Sequence, residues 1–330
     1  MKLSRIARFL TAACMAFALP AAALAQEKVT LRLDWVASGY HAIWYYAVDK
    51  GLFKAEGIDL EVLEGRGSTV TAQTVGNNSV MFGTADAGSV MGLVSQGLPV
   101  RMVGGYLVQS PFALIFPRKN NWASFEDVGK SGARIGIAPG SGAAVLLPAV
   151  LKATGLEGKV QLISMEPAAK PTALLAGKVD AIESFDFLQV PLLEANGMPS
   201  ATLPFAKAGI NVPGLSLITS NDMIQKNPAL VRKMVGLMQK TIELGRKDPE
   251  GAIDSLMKRA PTLNRAVVTQ VLKLSFNLLE NEATKGKPLG WIPPQTIASS
   301  QDILAQYGQI KNKLPIETYF TNEFVPGAPK

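Results

Sequence analysis

The sequence predicts an α/β protein of two lobes followed by a helical C-terminal region. Three observations carry this. Short apolar runs of period 2 alternate with segments of period 3.6 through the first two thirds of the chain. The length of 330 residues exceeds what one core usually organises. From about Pro228 onward the spacing turns almost wholly helical. Such alternation implies parallel sheets covered by helices, with ligand sites beyond the C-terminal ends of the strands.

The first 25 residues stand outside that scheme. Lys2, Arg5 and Arg8 precede an apolar run from Phe9 to Leu19, and Ala23 to Ala25 supplies a small-residue cleavage site. This is the pattern of a secretory signal peptide over residues 1–25. Lipoprotein processing at Cys14 is the rival, and it would leave an h-region of only a few residues. Beyond it, Val29 to Trp35 alternates as a strand and His41 to Phe53 has helical spacing with Gly51 as a stop. Ile58 to Glu64 is a strand, Thr69 to Asn77 a helix and Ser79 to Ala87 a short buried strand. A helix over Gly88 to Leu98 leads to a strand over Val100 to Val108.

The alternation resumes after Phe116 to Val128. Ala133 to Gly140 is a strand entering a helix closed by Gly155; Val160 to Met165, Pro167 to Val179 and Asp180 to Phe185 continue as strand, helix and strand end. Chain crossings near Leu114 to Arg118 and Val212 to Ile218 make the middle segment an inserted lobe. The expected division is a first lobe from 26–115, an inserted lobe over 116–215, and a return over 216–330. In the return, Pro249 and Pro261 break the helical spacing, and one more helix follows Trp291.

Composition narrows the chemistry. Cys14 is the only cysteine, so removal of the leader leaves no thiol for disulfides, thiolate catalysis or cysteine metal sites. A single histidine, His41, rules out a multi-histidine metal site or relay. Formal net charge falls from +7 to +4 once Lys2, Arg5 and Arg8 leave. The remaining bases are scattered, which does not point to nucleic acid. No later apolar stretch is long enough to span a bilayer. A soluble, exported, cysteine-free protein suits the periplasm, with neither cofactor nor metal expected.

The blocks "LRLDW", "YHAIWYYAVDKGLFKAEGIDLEV", "MFGTADAGSVMGLVSQGLPV" and "IGIAPGSGAAVLLPAVLKATGL" resemble extracytoplasmic solute-binding proteins of ABC importers. The resemblance covers essentially the whole chain after the leader. It is nearest to the thiamine-pyrimidine-precursor-binding group, with riboflavin, taurine, alkanesulfonate and nitrate binders as cousins. It implies a type II periplasmic-binding-protein fold, in which two lobes joined by two crossover strands close on a solute and deliver it to an inner-membrane ABC permease. A monomer is expected. Fungal enzymes of the same family make the thiamine pyrimidine and carry a cysteine-rich motif absent here, which argues against enzymatic activity.

On that pattern Trp35 stacks on a flat ring and Asp34 accepts from ring amino groups, the alternatives being lobe core and a helix N-cap. His41 faces the ligand or is a satisfied core residue. Trp44, Tyr45 and Tyr46 cannot all face one way; Tyr45, one turn beyond His41, is the cleft candidate. Asp86 is an N-cap near the ligand and Ser89 a hydrogen-bonding contact. Gln109, in the segment after the Val100 to Val108 strand, is also placed among the ligand contacts. Gly140, Ser141, Gly142 and Ala143 open a helix whose amides offer an anion or polar-group site, although the loop lacks the lysine of a P-loop. Glu183 accepts from a donor-rich ring and Phe185 or Phe187 closes over it. Arg66 decides between classes: facing inward, it would favour an anionic solute such as a sulfonate or aromatic carboxylate. A third, less favoured reading is a pyrimidine-synthesis enzyme using His41.

Overall fold

The computed structural model describes residues 26–329, so the expected signal peptide and Cys14 lie outside the described residues. Strand β1 (Glu27–Arg32) forms because Val29 and Leu31 alternate inward from polar neighbours. Helix α1 (Ala42–Asp49), β2 (Ile58–Leu63), α2 (Ser68–Gly76), β3 (Phe82–Asp86), α3 (Ala87–Val94) and β4 (Val100–Gly105) complete the first pass. The chain then builds β5 (Phe112–Pro117), α4 (Phe125–Lys130), β6 (Arg134–Ile137), α5 (Gly142–Ala153), β7 (Gln161–Ser164), α6 (Ala169–Leu175), β8 (Ala181–Phe185), α7 (Asp186–Ala195) and β9 (Ser200–Pro204). It returns through β10 (Leu215–Ser220) to α8 (Asn221–Lys226), α9 (Pro228–Lys247), α10 (Pro249–Arg259), α11 (Arg265–Phe276) and α12 (Pro294–Gln306).

Two five-stranded sheets result, ordered β2-β1-β3-β10-β4 and β7-β6-β8-β5-β9. They share one plan, and it corrects the expectation of purely parallel sheets. In each, one strand runs antiparallel to both neighbours: β10 between β3 and β4, and β5 between β8 and β9. These are the strands each lobe receives from a crossing, so they enter from the opposite end.

The first crossing falls earlier than expected, while the second overlaps the expected segment, Val212 to Ile218. β5 lies wholly in the second sheet, so the first crossing precedes Phe112 rather than spanning Leu114 to Arg118. The second ends before Leu215. The linking segments are not strands, yet they pair: Tyr106 and Leu107 N–H groups both donate to Leu215 O at 2.8 Å, and Gly214 N–H donates to Gln109 O at 3.1 Å. Two adjacent, mutually bonded connections make a hinge.

The prolines act where the sequence places them. Pro249 opens α10 at its first turn, where its missing N–H costs nothing, and Pro261 separates α10 from α11. Helix α9 buries Leu230, Val231, Met234, Val235 and Met238, a 3–4 spacing that lays one face on the first lobe.

Candidate functional site

In both sheets the order reverses at the second strand from the edge, between β1 and β3 and between β6 and β8. Those switch points open crevices at the strand ends, and each holds a buried carboxylate. Between the lobes lies a small cavity of about 30 Å³. Asp34, Trp35, Tyr40 and Ser68 line it from one side; Ser141, Ala143, Lys170, Glu183, Ser184 and Phe185 line it from the other.

Asp34 follows β1 and is held by neutral donors. Its N–H donates to Thr84 Oγ1 (3.0 Å), and that hydroxyl donates back to Oδ1 (3.0 Å). Tyr40 Oη–H donates to Oδ2 at 2.8 Å. Burial, and next the Asp34 charge, push the Tyr40 phenol well above its ordinary range, which keeps it a donor. His41 Nε2 lies 3.1 Å from Oδ1. Because Ser38 N–H points at Nδ1 (3.3 Å), Nδ1 is the acceptor and Nε2–H donates to Asp34. A carboxylate offers about four lone-pair sites, so Asp34 Oδ2, which accepts one hydrogen bond, from Tyr40, retains capacity.

Glu183, on β8, is held by a cation. Lys170 Nζ donates to Glu183 Oε1 (2.9 Å) and to its backbone O (2.7 Å), and both side chains are almost wholly buried. Ala138 N–H donates to Oε1 at 2.7 Å, and the Ser141 hydroxyl lies 3.2 Å from both oxygens. Burial raises the Glu183 carboxyl above the usual range, with Lys170 pulling the other way. The Lys170 ammonium also sits 5.5 Å from the Trp35 ring centroid, a cation–π contact from lobe to lobe.

Other contacts tie the lobes around the cavity. Thr69 N–H donates to Gly140 O at 3.2 Å, and Gly140 takes φ +84°, a left-handed geometry that suits glycine. Gly142 lacks the Cβ that would strike the Asp86 carboxylate. Tyr40 meets Phe187 edge-on, with ring centroids 5.4 Å apart.

A profile of the family described as NMT1/THI5 like matches residues 38–252. The chain belongs to that family. The riboflavin-binding protein RibY of Chloroflexus aurantiacus is 27% identical over 313 residues, covering 91% of this chain and 87% of that one. A protein named 4-amino-5-hydroxymethyl-2-methylpyrimidine phosphate synthase THI5, from Saccharomyces cerevisiae, is 22% identical over 252 residues, with 73% and 74% covered. Among solved structures, the alkanesulfonate-binding protein SsuA from Xanthomonas axonopodis pv. citri bound to MOPS superposes with TM-score 0.68 at 18% identity, covering 90% of this chain and 98% of that one. The fold of this NMT1/THI5-like protein is thus that of the periplasmic binding proteins.

Within it, Asp34, Trp35, Ser141, Ala143, Glu183 and Phe185 meet at the cavity. Gly140 and Gly142 flank it as interlobe contacts, not as an anion cradle: the Asp86 carboxylate already stands at the start of α5. Asp86 caps α3 through Ser89 N–H (2.8 Å), and neither side chain lines the cavity. His41 stands behind Asp34, fully buried, so the core alternative describes it. Tyr45 turns away: the Arg259 guanidinium lies 5.2 Å from its ring, on the side where α1 packs on α10. Arg66 is exposed and outside the cavity. Gln109 belongs to the hinge, its Nε2 donating to Asn277 O (2.6 Å) and Glu280 O (2.7 Å).

Sequence reasoning missed Tyr40, Ser68, Lys170, Ser184 and Leu188. Tyr40 sits one residue before the histidine that drew attention. Lys170 carried no signal, because a lysine on a short helix is ordinarily solvated.

Proposed function

We propose that this chain is the periplasmic solute-binding component of an ABC importer. It captures a small, planar, donor-rich heterocycle between its lobes and hands it to an inner-membrane permease. An aminopyrimidine of the thiamine-precursor type is the first candidate. The observation that carries this reading is the pairing of two carboxylates from opposite lobes, Asp34 and Glu183, across an aromatic-walled cavity where Lys170 is the one lining cation among the described residues. With both acids ionised the lining carries a net negative charge, which favours ring N–H and amino donors over a sulfonate or carboxylate.

The free space between the closed walls, about 30 Å³, is room for a water or two and not for a ring, so the lobes part to admit the solute. Trp35 and Phe185 supply apolar faces; Asp34 Oδ2 and Glu183 Oε2 supply acceptors at opposite edges. The anionic reading rested on Arg66, which the fold leaves exposed outside the cavity. The enzymatic reading rested on His41, whose two nitrogens are engaged by Ser38 and Asp34.

Thermal unfolding in the presence of 4-amino-5-hydroxymethyl-2-methylpyrimidine, riboflavin, taurine, an alkanesulfonate and benzoate tests this. The pyrimidine is expected to raise the unfolding temperature, since a ligand at about 100 times its Kd stabilises the folded state by about 2.7 kcal/mol. A shift with the anions alone would overturn the reading.

A further inference from the structure

A second, larger opening adjoins the cavity. It holds about 200 Å³ and shares Trp35 and Leu188 with the first. Its walls come from three places: the loop after β1 (Val36 to Gly39), helices α6 and α7 of the second lobe, and α11 of the C-terminal region. α11 packs on α7, so the groove is roofed by an element of the returning chain.

The chemistry of the groove differs from that of the cavity. Apolar groups dominate, among them Leu192, Leu263, Val267 and Val268, and among the described residues no carboxylate or lysine lines it. Val36, at 39% exposure, is one of the few large apolar side chains left open to solvent among the described residues. Of its three polar side chains, Ser38 bonds to Val36 O and His41, and Asn264 caps α11, which leaves Gln189. Gln189 on α7 is 4% exposed and lines the groove, and its Oε1 is buried without a hydrogen-bond partner. An orphaned buried acceptor costs about 1–3 kcal/mol, and a donor arriving on a ligand relieves that cost.

We propose that this groove is a second ligand subsite, taking an apolar extension that bears one N–H or O–H donor, on the same molecule whose ring occupies the interlobe cavity. The inference rests on the solute-binding reading above and deepens it: the solute is a substituted ring, not a bare one. Trp35 is the partition, one side lining the cavity and the other the groove. Loop residues 34–39 therefore serve both subsites, so ring and extension are sensed by one segment. Val267 and Val268 on α11 link the extension to the helix that roofs the cleft. Gln189 is the specificity-determining residue for the extension.

Three pyrimidines that share the 4-amino-2-methyl ring and differ at C5 separate the possibilities: hydroxymethyl, phenoxymethyl and anilinomethyl. Affinities are measured by titration calorimetry on the mature chain. Both aryl compounds are expected to bind about tenfold or more tightly than the hydroxymethyl compound, from apolar burial in the groove. The anilino compound is expected to exceed the phenoxy one by about fivefold or more, from its N–H to Gln189. Gln189→Leu removes that last preference, and Leu192→Glu lowers the aryl-to-hydroxymethyl affinity ratio about tenfold. Circular dichroism melts confirm that both variants fold; should Leu192→Glu fail to, Val36→Glu at the exposed mouth replaces it. Aryl compounds that bind no better than the hydroxymethyl one, or ratios that neither variant alters, overturn the subsite while leaving the ring site standing. If none of the three binds, the reading of the ring site falls and the subsite with it. A dimer on size-exclusion chromatography that Leu192→Glu dissolves would make the groove an interface between copies, and likewise overturn the proposal.

Discussion

The two walls of the cleft solve one problem in different ways. Both lobes follow the same strand order and place a buried carboxylate at the switch point, Asp34 beside β1 and Glu183 on β8. The first wall satisfies its carboxylate with a phenol, a hydroxyl and an imidazole. The second uses an ammonium, Lys170. Neutral donors leave the Asp34 charge uncompensated, to be met by whatever enters. The ion pair makes the opposite wall close to neutral and aims its cation at Trp35 across the gap. The asymmetry therefore gives the cavity a polarity: an acidic side that orients donors, and a compensated side that frames the ring.

Breaking the second wall has the largest expected effect. Lys170→Met strands Glu183 in a site with almost no solvent access, and removing one partner of a buried pair typically costs about 3–5 kcal/mol. Urea denaturation should show that loss. The double variant Lys170→Met with Glu183→Leu should regain most of it, since apolar replacements of a buried pair are often neutral. Equal instability in single and double variants would show that the pair is not what holds the wall.

Gly142→Ala tests the seam between the walls. Alanine favours a helix by about 1 kcal/mol over glycine, so α5 itself should not suffer. Its Cβ, however, would strike the Asp86 carboxylate of the first lobe. The expected outcome is a protein as stable as the parent whose lobes stay apart, with a larger radius of gyration by small-angle scattering. Affinity for the pyrimidine should fall about tenfold, or 1.4 kcal/mol. Asp86→Ser in the same chain should restore closing, because it shortens the group that the added methyl meets.

How much of this asymmetry was legible beforehand depends on the kind of signal. The α/β alternation, the helical tail and the proline breaks were written in local periodicity, and the fold follows them. Trp35, Asp34 and Ser141 were legible because each sits where a strand has given way to a loop or helix, and Glu183 because a carboxylate stands out in an apolar strand. Lys170 was not, because its meaning comes from Glu183, 13 residues away on another element. Tyr45 misled for a related reason: helical spacing from His41 fixes a face, but not which face the lobe presents. Its ring meets Arg259, which follows it in sequence by more than 200 residues. The antiparallel strands escaped because a crossing is a property of the whole chain path.

His41→Gln probes the first wall more gently. The amide can still donate to Asp34, while the Ser38 contacts at Nδ1 are lost. A loss of about 1 kcal/mol is expected, with pyrimidine affinity changed less than by Asp34→Asn. If His41→Gln abolished binding with the fold intact, the histidine would be a ligand contact after all.

The smallest effect is one of pH, and it belongs to the seam. Asp86 is fully buried between the lobes, and burial raises its carboxyl above the ordinary range against the pull of Ser89 and Ser68. A carboxylate whose folded pKa is raised binds its proton more tightly in the folded state. Its contribution is therefore fullest below the unfolded value, about pH 4, and fades as pH rises through the folded value. The exposed Asp127 carboxyl, lowered by Ser124, and Asp180, lowered by Arg134, act the other way, losing their contribution as pH falls below about 4. The two classes thus separate on the pH axis. Glu183 shares the Asp86 sign, so Asp86→Asn should flatten, not abolish, the decline of unfolding free energy above pH 4, by at most about 1.4 kcal/mol per pH unit for its one proton. A slope identical in parent and variant would place Asp86 in water, and with it the seam that Gly142 closes.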